Sequence, residues 1–349
     1  MKRYFDYSTI FTKIGFCAGL VSNLFLILLT VVHVKKITGT YKLMVITFAS
    51  TGIFFSGWEL IARPFMHNYN NALVYFSLNT SSQSFFQFAI AFYAGIYEAI
   101  VAFLAIQFIY RYVTLFHPNF AAKFDGKGIL IWLPYSLIPG AIYCTSFYIY
   151  CMPDKFSDDY VREAMLEGYE MAIEEVPRFV IVSFNNDETL RWNNLSFLIQ
   201  GVSVIGLHYL VIIFFGLKTH FHMKKKLEGF SKTYQRLQKQ LFRALVVQTL
   251  APTFLFVLPA GPILLGPLIS PIFRIEISLQ TGWLCSLFSL YPPIDSIAFM
   301  VIVTEYRKLI RGCLRDTVGV YCNGFLAQVK FLMSPDASVT DSTTENSKK

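Results

Sequence analysis

Charge is scarce in this chain. Of its 349 residues, 15% are Asp, Glu, Lys or Arg, where a soluble domain carries about 25%. A soluble domain is excluded, and an apolar content of 54% points to an integral membrane protein. Catalytic signatures are missing as well. There is no phosphate-binding loop, GxSxG elbow, HExxH helix or Cys/His cluster, so no enzyme, metal or cofactor is expected. The six cysteines show neither CxxC nor metal-ligand spacing. A cleavable leader is also lacking: residues 1–13 are polar, and the first apolar run has no small-residue cleavage site, so that run is expected to stay as a span. The net charge of +8 sits beside apolar segments, the pattern of positive-inside topology, and no nucleic-acid partner is expected.

What is present is a set of long apolar runs. A membrane-crossing helix needs about 20 mostly apolar residues. Seven such runs occur, at about residues 14–34, 43–65, 86–110, 129–150, 195–217, 241–265 and 277–303. The expected fold is an all-α seven-transmembrane helix bundle over residues 1–303. With the N-terminus outside, 21 of the 30 Lys and Arg fall in inner segments. The sequons at Asn79 and Asn194 then face outward as glycosylation candidates.

The stretch from Lys224 to Pro259 organises the chain. A basic, helix-favouring segment becomes apolar after Arg243 and carries Pro252 and Pro259, each of which removes a helical hydrogen bond and favours a kink. It reads either as a moving part sensed by a cytosolic partner or as a static kinked span. Arg236, Lys239 and Arg243 recur at spacings of three and four, which places them on one helix face.

Residues 151–194 form a long loop with ten acidic residues against four basic ones. Val161, Met165, Tyr169 and Ile173 recur at helical spacing and predict a helix over about 157–176, stopped by Pro177. Residues 178–184 then predict a strand, and the loop reads as a lid. Residues 304–333 hold an amphipathic inner-face helix and juxtamembrane segment lying along membrane lipid, with Cys313 a candidate for lipidation. Residues 334–349 are rich in Ser, Thr and Asp and predict a disordered tail.

Ionisable residues inside spans carry the functional signal, because a charge at mid-membrane costs a few kcal/mol. Glu98 in the third run reads either as a cavity carboxylate or as an acid bonded to a neighbouring helix. Glu59 and Arg63, four apart, predict an intrahelical pair. His208 is polar on an apolar face. Asp295 follows Pro292 and Pro293 in the last run, which reads as a switch. Phe92, Tyr93, Tyr97 and Glu98, with His208, form the expected ligand pocket.

Several motifs point to one family. They are Gly39-Thr-Tyr-Lys42, Arg63-Pro-Phe-Met-His67, Tyr110-Arg-Tyr112, His117-Pro-Asn119, the long segment from Leu237 to Thr253, and Tyr291-Pro-Pro-Ile-Asp-Ser296 followed by Glu305-Tyr-Arg307. They resemble nematode seven-transmembrane chemoreceptors of the Str type, from the first inner loop to the inner-face helix. The resemblance implies a plasma-membrane receptor of sensory cilia that binds a small odorant and acts through a heterotrimeric G protein. It implies that Arg111 faces that partner, although Tyr110 replaces the usual preceding acid. The disulfide of rhodopsin-like receptors is not available, since residues 85–94 contain no cysteine. The rival classes are a seven-span ligand-gated channel, whose N-terminus would be inside, and a small-molecule transporter.

Overall fold

The computed structural model describes residues 2–34, 37, 39–273, 276–312 and 315. Seven helical segments in it are long and apolar enough to cross a membrane: Tyr7–His33, Gly39–Ala62, Gln83–Phe116, Gly126–Tyr150, Trp192–Leu227, Lys232–Ile269 and Leu284–Ile302. They are numbered here as spans one to seven. The third is buried along most of its length and forms the centre of the bundle. Large apolar side chains such as Val21, Leu130, Ile131 and Leu210 project outward from spans one, four and five. Such an apolar exterior is stable only against hydrocarbon.

Spans three and four meet through glycine. A Cβ on Gly95 would sit 2.6 Å from the Gly140 carbonyl oxygen, so only glycine permits this approach. Small residues that bring backbones together are the usual glue between membrane helices. Two prolines, Pro134 and Pro139, are tolerated inside the fourth span.

The chain is not helical throughout. Residues 64–77 form a hairpin, β1 (Pro64–Tyr69) and β2 (Ala72–Ser77), within a four-stranded antiparallel sheet of order β3-β2-β1-β4. β3 is Arg178–Val182 and β4 is Ser278–Leu279. The expected second span to residue 65 therefore stops early. Pro64 disfavours helical backbone at the residue before it, and the helix ends at Ala62 with Arg63 left-handed at φ +42°. The expected seventh span from residue 277 also starts late, because Asn68 and Tyr69 pair with Leu279 and Ser278 and draw that segment into the sheet.

The sheet and a cap helix, Lys155–Tyr169, close one end of the bundle. Asp154 and Ser157 form a reciprocal capping box at the helix start. Val161, Met165 and Tyr169 pack on Phe65, Val74, Phe76 and Val180. The helix ends seven residues before the expected residue 176. Glu170 takes the left-handed conformation that terminates it, and Ile173–Glu175 forms a separate turn. No disulfide is involved, and Cys151 is a buried free thiol. Arg178 instead grips Asp158 with two bonds of 2.8 and 2.5 Å. The Val180 amide donates to the Cys151 carbonyl at 3.2 Å.

Asn194 belongs to this scaffold, which corrects its reading as a glycosylation site. Its Nδ2, the atom that a glycan would modify, donates to the Tyr150 carbonyl at 2.6 Å, and its Oδ1 accepts from the Val182 amide at 3.1 Å. The side chain is buried. Asn79 lies in the loop after β2, half-buried, with Oδ1 accepting from Ser81. Residues 305–312 form a separate helical unit. Cys313 and residues 316–349 lie outside the described residues.

His67 gives the cap a pH dependence. Its Nδ1 lies 3.0 Å from the Tyr169 hydroxyl, and burial lowers its pKa from 6.5 to about 4. Between those values the unfolded chain binds a proton that the folded cap does not, so stability is full above about pH 6.5 and falls as the pH drops toward 4. Thermal unfolding of the purified protein should show that loss, and His67→Gln should flatten it.

Candidate functional site

Beneath the cap lies a cavity of about 70 Å³. Its floor and walls come from Tyr93, Tyr97 and Glu98 of the third span, Tyr143 of the fourth, Phe197 of the fifth, Phe256 of the sixth and Phe288 of the seventh. Its roof is Met66, Leu73, Tyr75 and Ile181 of the sheet. The lining is almost wholly apolar and aromatic. Against this background the Tyr97 hydroxyl and both Glu98 carboxyl oxygens are buried without a hydrogen-bond partner among the described residues. A buried polar group without a partner is costly, so these atoms mark where a ligand's polar end would be stabilised.

The pocket residues expected from sequence separate into two groups. Tyr93, Tyr97 and Glu98 line the cavity. Phe92 does not, since it points the other way and packs against Phe54, Trp58 and Phe88. His208 stands behind Glu98, with its Nδ1 3.3 Å from Glu98 Oε1 and 2.8 Å from the Val204 carbonyl. One ring proton cannot serve both acceptors, and the helix carbonyl is the nearer. The sheet contribution was missed. Its signal was present as an Asn70-Asn71 turn between two β-favouring runs.

The sixth span carries the largest distortion. Its helix Lys232–Pro252 passes into a wide turn, Thr253–Val257, before resuming at Leu258. The proline cannot donate to the ladder, and a widened turn absorbs the fault. Phe256 sits in that turn, with its ring centroid 3.8 Å from that of Tyr97 and 4.2 Å from that of Phe288. Pro259 lies in the helix beyond, Leu258–Phe273. The seventh span is broken at Ser289–Leu290, so Pro292 and Pro293 begin a fresh helix, Tyr291–Ile302. Asp295 Oδ2 accepts from Gln248 Nε2 of the sixth span at 3.0 Å.

At the opposite end of the bundle, Arg111 is buried and donates to the Gln238 backbone carbonyl at 2.5 Å. Its guanidinium lies 5.9 Å from the Tyr41 ring centroid. A backbone acceptor thus stands where an acidic partner is missing. Gln240 Nε2 donates to Thr304 Oγ1 at 2.5 Å, tying the sixth span to the end of the seventh. Arg236 and Arg243 are exposed and Lys239 is half-buried. The buried stripe of Gln238, Leu241, Phe242 and Leu245 faces inward, so the three basic residues lie on the far side of the helix from Arg111. The expected pair of Glu59 and Arg63 is not formed: Glu59 Oε1 accepts from Ser289 Oγ at 2.5 Å, and Arg63 donates to Thr9 Oγ1 at 2.8 Å.

A family model described as serpentine type 7TM GPCR chemoreceptor Str matches residues 8–311. The chain belongs to that family. It is 38% identical over 311 residues to the G-protein coupled receptor str-33 of Caenorhabditis elegans, covering 86% of this chain and 89% of the relative. Serpentine receptor class r-10 of C. elegans is 25% identical over 281 residues, covering 79% of this chain and 81% of that one, and its C. briggsae counterpart is 26% identical over 311, covering 86% and 89%. The receptor is accordingly a multi-pass membrane protein of the chemoreceptor class, and this membership does not favour the channel and transporter alternatives.

Glu98 tests the cavity assignment. Glu98→Gln keeps the shape and removes the charge. Surface expression should be preserved, while the dose–response curve to an active ligand moves by about tenfold, the worth of one charge-assisted hydrogen bond. An unchanged curve would give Glu98 a purely structural role.

Proposed function

We propose that this protein is an odorant receptor. It binds a small, largely apolar molecule in the cavity under the cap and activates a heterotrimeric G protein at the Arg111 end. The N-terminus and the cap face outward, the C-terminus faces the cytosol, and the receptor works in the plasma membrane of sensory cilia. Tyr93, Tyr97 and Glu98 contact the ligand. His208 stands behind Glu98.

One observation carries this reading: Phe256 forms part of the cavity wall and also sits in the wide turn after Pro252. A cavity of about 150 Å³ takes a benzene ring, and this one has about half that volume. A ligand of five or six heavy atoms must therefore push wall side chains apart, and Phe256 is one of them. Displacement of Phe256 acts directly on the sixth-span distortion. Pro252, Pro259, Pro292, Pro293 and Asp295 then serve as the switch, and the far end of the sixth span swings away from Arg111. A ligand shifts this balance only through its better fit to the swung state. The outward face of Arg236, Lys239 and Arg243 meets the G protein as the cleft beside Arg111 opens.

Calcium imaging of cells expressing the receptor, against a panel of small volatile compounds, tests the whole reading. Robust responses to at least one compound of this size, lost on removal of the G protein, are expected; responses that survive that removal would refute the coupling. An epitope before Met1 should be stained in intact cells and one after Lys349 should not. Arg236→Ala with Lys239→Ala should abolish signalling while preserving surface level and ligand affinity, and Arg111→Ala should do the same. Lys224→Ala with Lys225→Ala should change little. Normal activation by the first double variant would defeat the coupling assignment.

A further inference from the structure

The first two spans and the start of the sheet enclose a second cavity, of about 180 Å³, lined by Ser8, Thr12, Lys13, Glu59 and Arg63. It is more polar than the odorant cavity. Cys285 lines both. We propose that this cavity is a separate ligand site that takes a small monocarboxylate, held by Arg63 and Lys13.

The backbone at Arg63 is the first sign. Its φ of +42° lies in the left-handed region that favours glycine. The position closes a helix: its amide donates to the Glu59 carbonyl at 2.8 Å, and its carbonyl accepts from the Leu78 amide at 3.0 Å. Glycine would make both bonds without strain, as it commonly does after a helix. What arginine adds is the guanidinium, and a strained residue at a cavity is a reason to look for a role. One terminal nitrogen, Nη2, donates to Thr9 Oγ1 at 2.8 Å. A guanidinium carries five N–H donors, and no carboxylate lies in ion-pair range of Arg63 or Lys13 among the described residues.

Charge balance selects the ligand class. Two cations and one carboxyl group line the cavity, which leaves one positive charge unmatched when Glu59 is ionised, and more when it is not. An ammonium ligand would enter against both cations. A carboxylate matches the planar arginine fork. Glu59 is 1% exposed, and its Oε2 has no hydrogen-bond partner among the described residues, so it is available to a second polar group on the ligand. Its Oε1 is held by Ser289 Oγ at the break in the seventh span, which gives an occupant a path to that break. The volume suits an acid of about three to six carbons, slightly more than the roughly 150 Å³ that takes benzene.

The inference stands apart from the odorant reading, because binding alone tests it. The full chain is purified into nanodiscs of phosphatidylcholine, which supply no anionic headgroup. Butyrate, butylamine and butanol are compared by thermal shift, and direct binding is followed by the 19F signal of 4,4,4-trifluorobutyrate. Butyrate should stabilise the protein and displace the fluorinated probe, and the other two should not. Arg63→Gly keeps the left-handed turn and removes the guanidinium. Its melting temperature should equal or exceed that of the parent, and its affinity for the probe should fall by about tenfold or more. Lys13 is exposed, so Lys13→Gln leaves the fold intact and should weaken binding as well; that variant decides the matter if Arg63→Gly misfolds. Stronger binding of butylamine, no binding of butyrate, or unweakened binding in Lys13→Gln would overturn the proposal.

Discussion

A helix that breaks inside hydrocarbon must find partners for the backbone groups it frees, because no water is present to take them. The seventh span breaks before Pro292 and Pro293, and the rest of the bundle is arranged to meet that demand. Asn23 of the first span donates to the Pro292 carbonyl at 3.2 Å, and Ser22 lies 2.8 Å from the Ser296 hydroxyl. Glu59 of the second span accepts from Ser289 on the other side of the break. Gln248 of the sixth span donates to Asp295. Three spans thus converge on one fault. Gln248 is the donor that Asp295 depends on, whereas the Pro292 carbonyl and the Ser296 and Ser289 hydroxyls each have a second partner.

The cap obeys the same constraint at the edge of the membrane. A free sheet edge cannot face lipid. Here β3 and β4 are the edges of a four-stranded sheet, and β4 is two residues long. A short edge strand is one of the ways proteins limit such an edge. The salt bridge of Arg178 with Asp158 and the two bonds of Asn194 then do what a disulfide does elsewhere: they hold the segment after the fourth span over the bundle. The two solutions differ in how they fail. A disulfide survives acid, whereas the neutral buried His67 of this cap does not.

How much of this was legible in the sequence follows from which forces were local. Seven apolar runs and their order depend on hydropathy alone and were readable. Tyr93, Tyr97 and Glu98 share a helix, so their side-by-side placement followed from spacing. Phe92 was misjudged because adjacent helical residues point about 100° apart, and its face meets Trp58 rather than the cavity. The hairpin of residues 64–77 was lost because Phe65 reads as a continuation of the apolar helix before it, although Pro64, the polar His67 and Asn68, and the Asn70-Asn71 turn mark the change. The Arg111 contact could not be read at all, since its acceptor is a backbone carbonyl that any residue at position 238 would supply.

The size of the ligand limits how the proposed switch can work. A very small ligand gains at most about 1.5 kcal/mol per heavy atom, so five or six atoms bring roughly 8 kcal/mol in total. Reversing a two-state balance from 1:99 to 99:1 takes about 5.5 kcal/mol of difference between states. Most of the ligand's interaction must then be specific to the active state, and few bonds can be broken to reach it. Among the described residues, two side-chain hydrogen bonds cross from the sixth span to the third and fifth, Arg111 with Gln238 and Tyr209 with Thr253. The sixth and seventh spans are joined by Gln240 with Thr304 and by Gln248 with Asp295. Moving the sixth span alone would break both sets. Moving the inner parts of the sixth and seventh together, with the wide turn after Pro252 and the break before Pro292 as the two hinges, would keep the second set. It would break, besides the first, the bonds of Asn23 and Ser22 to the seventh span, so by this count neither motion is the cheaper.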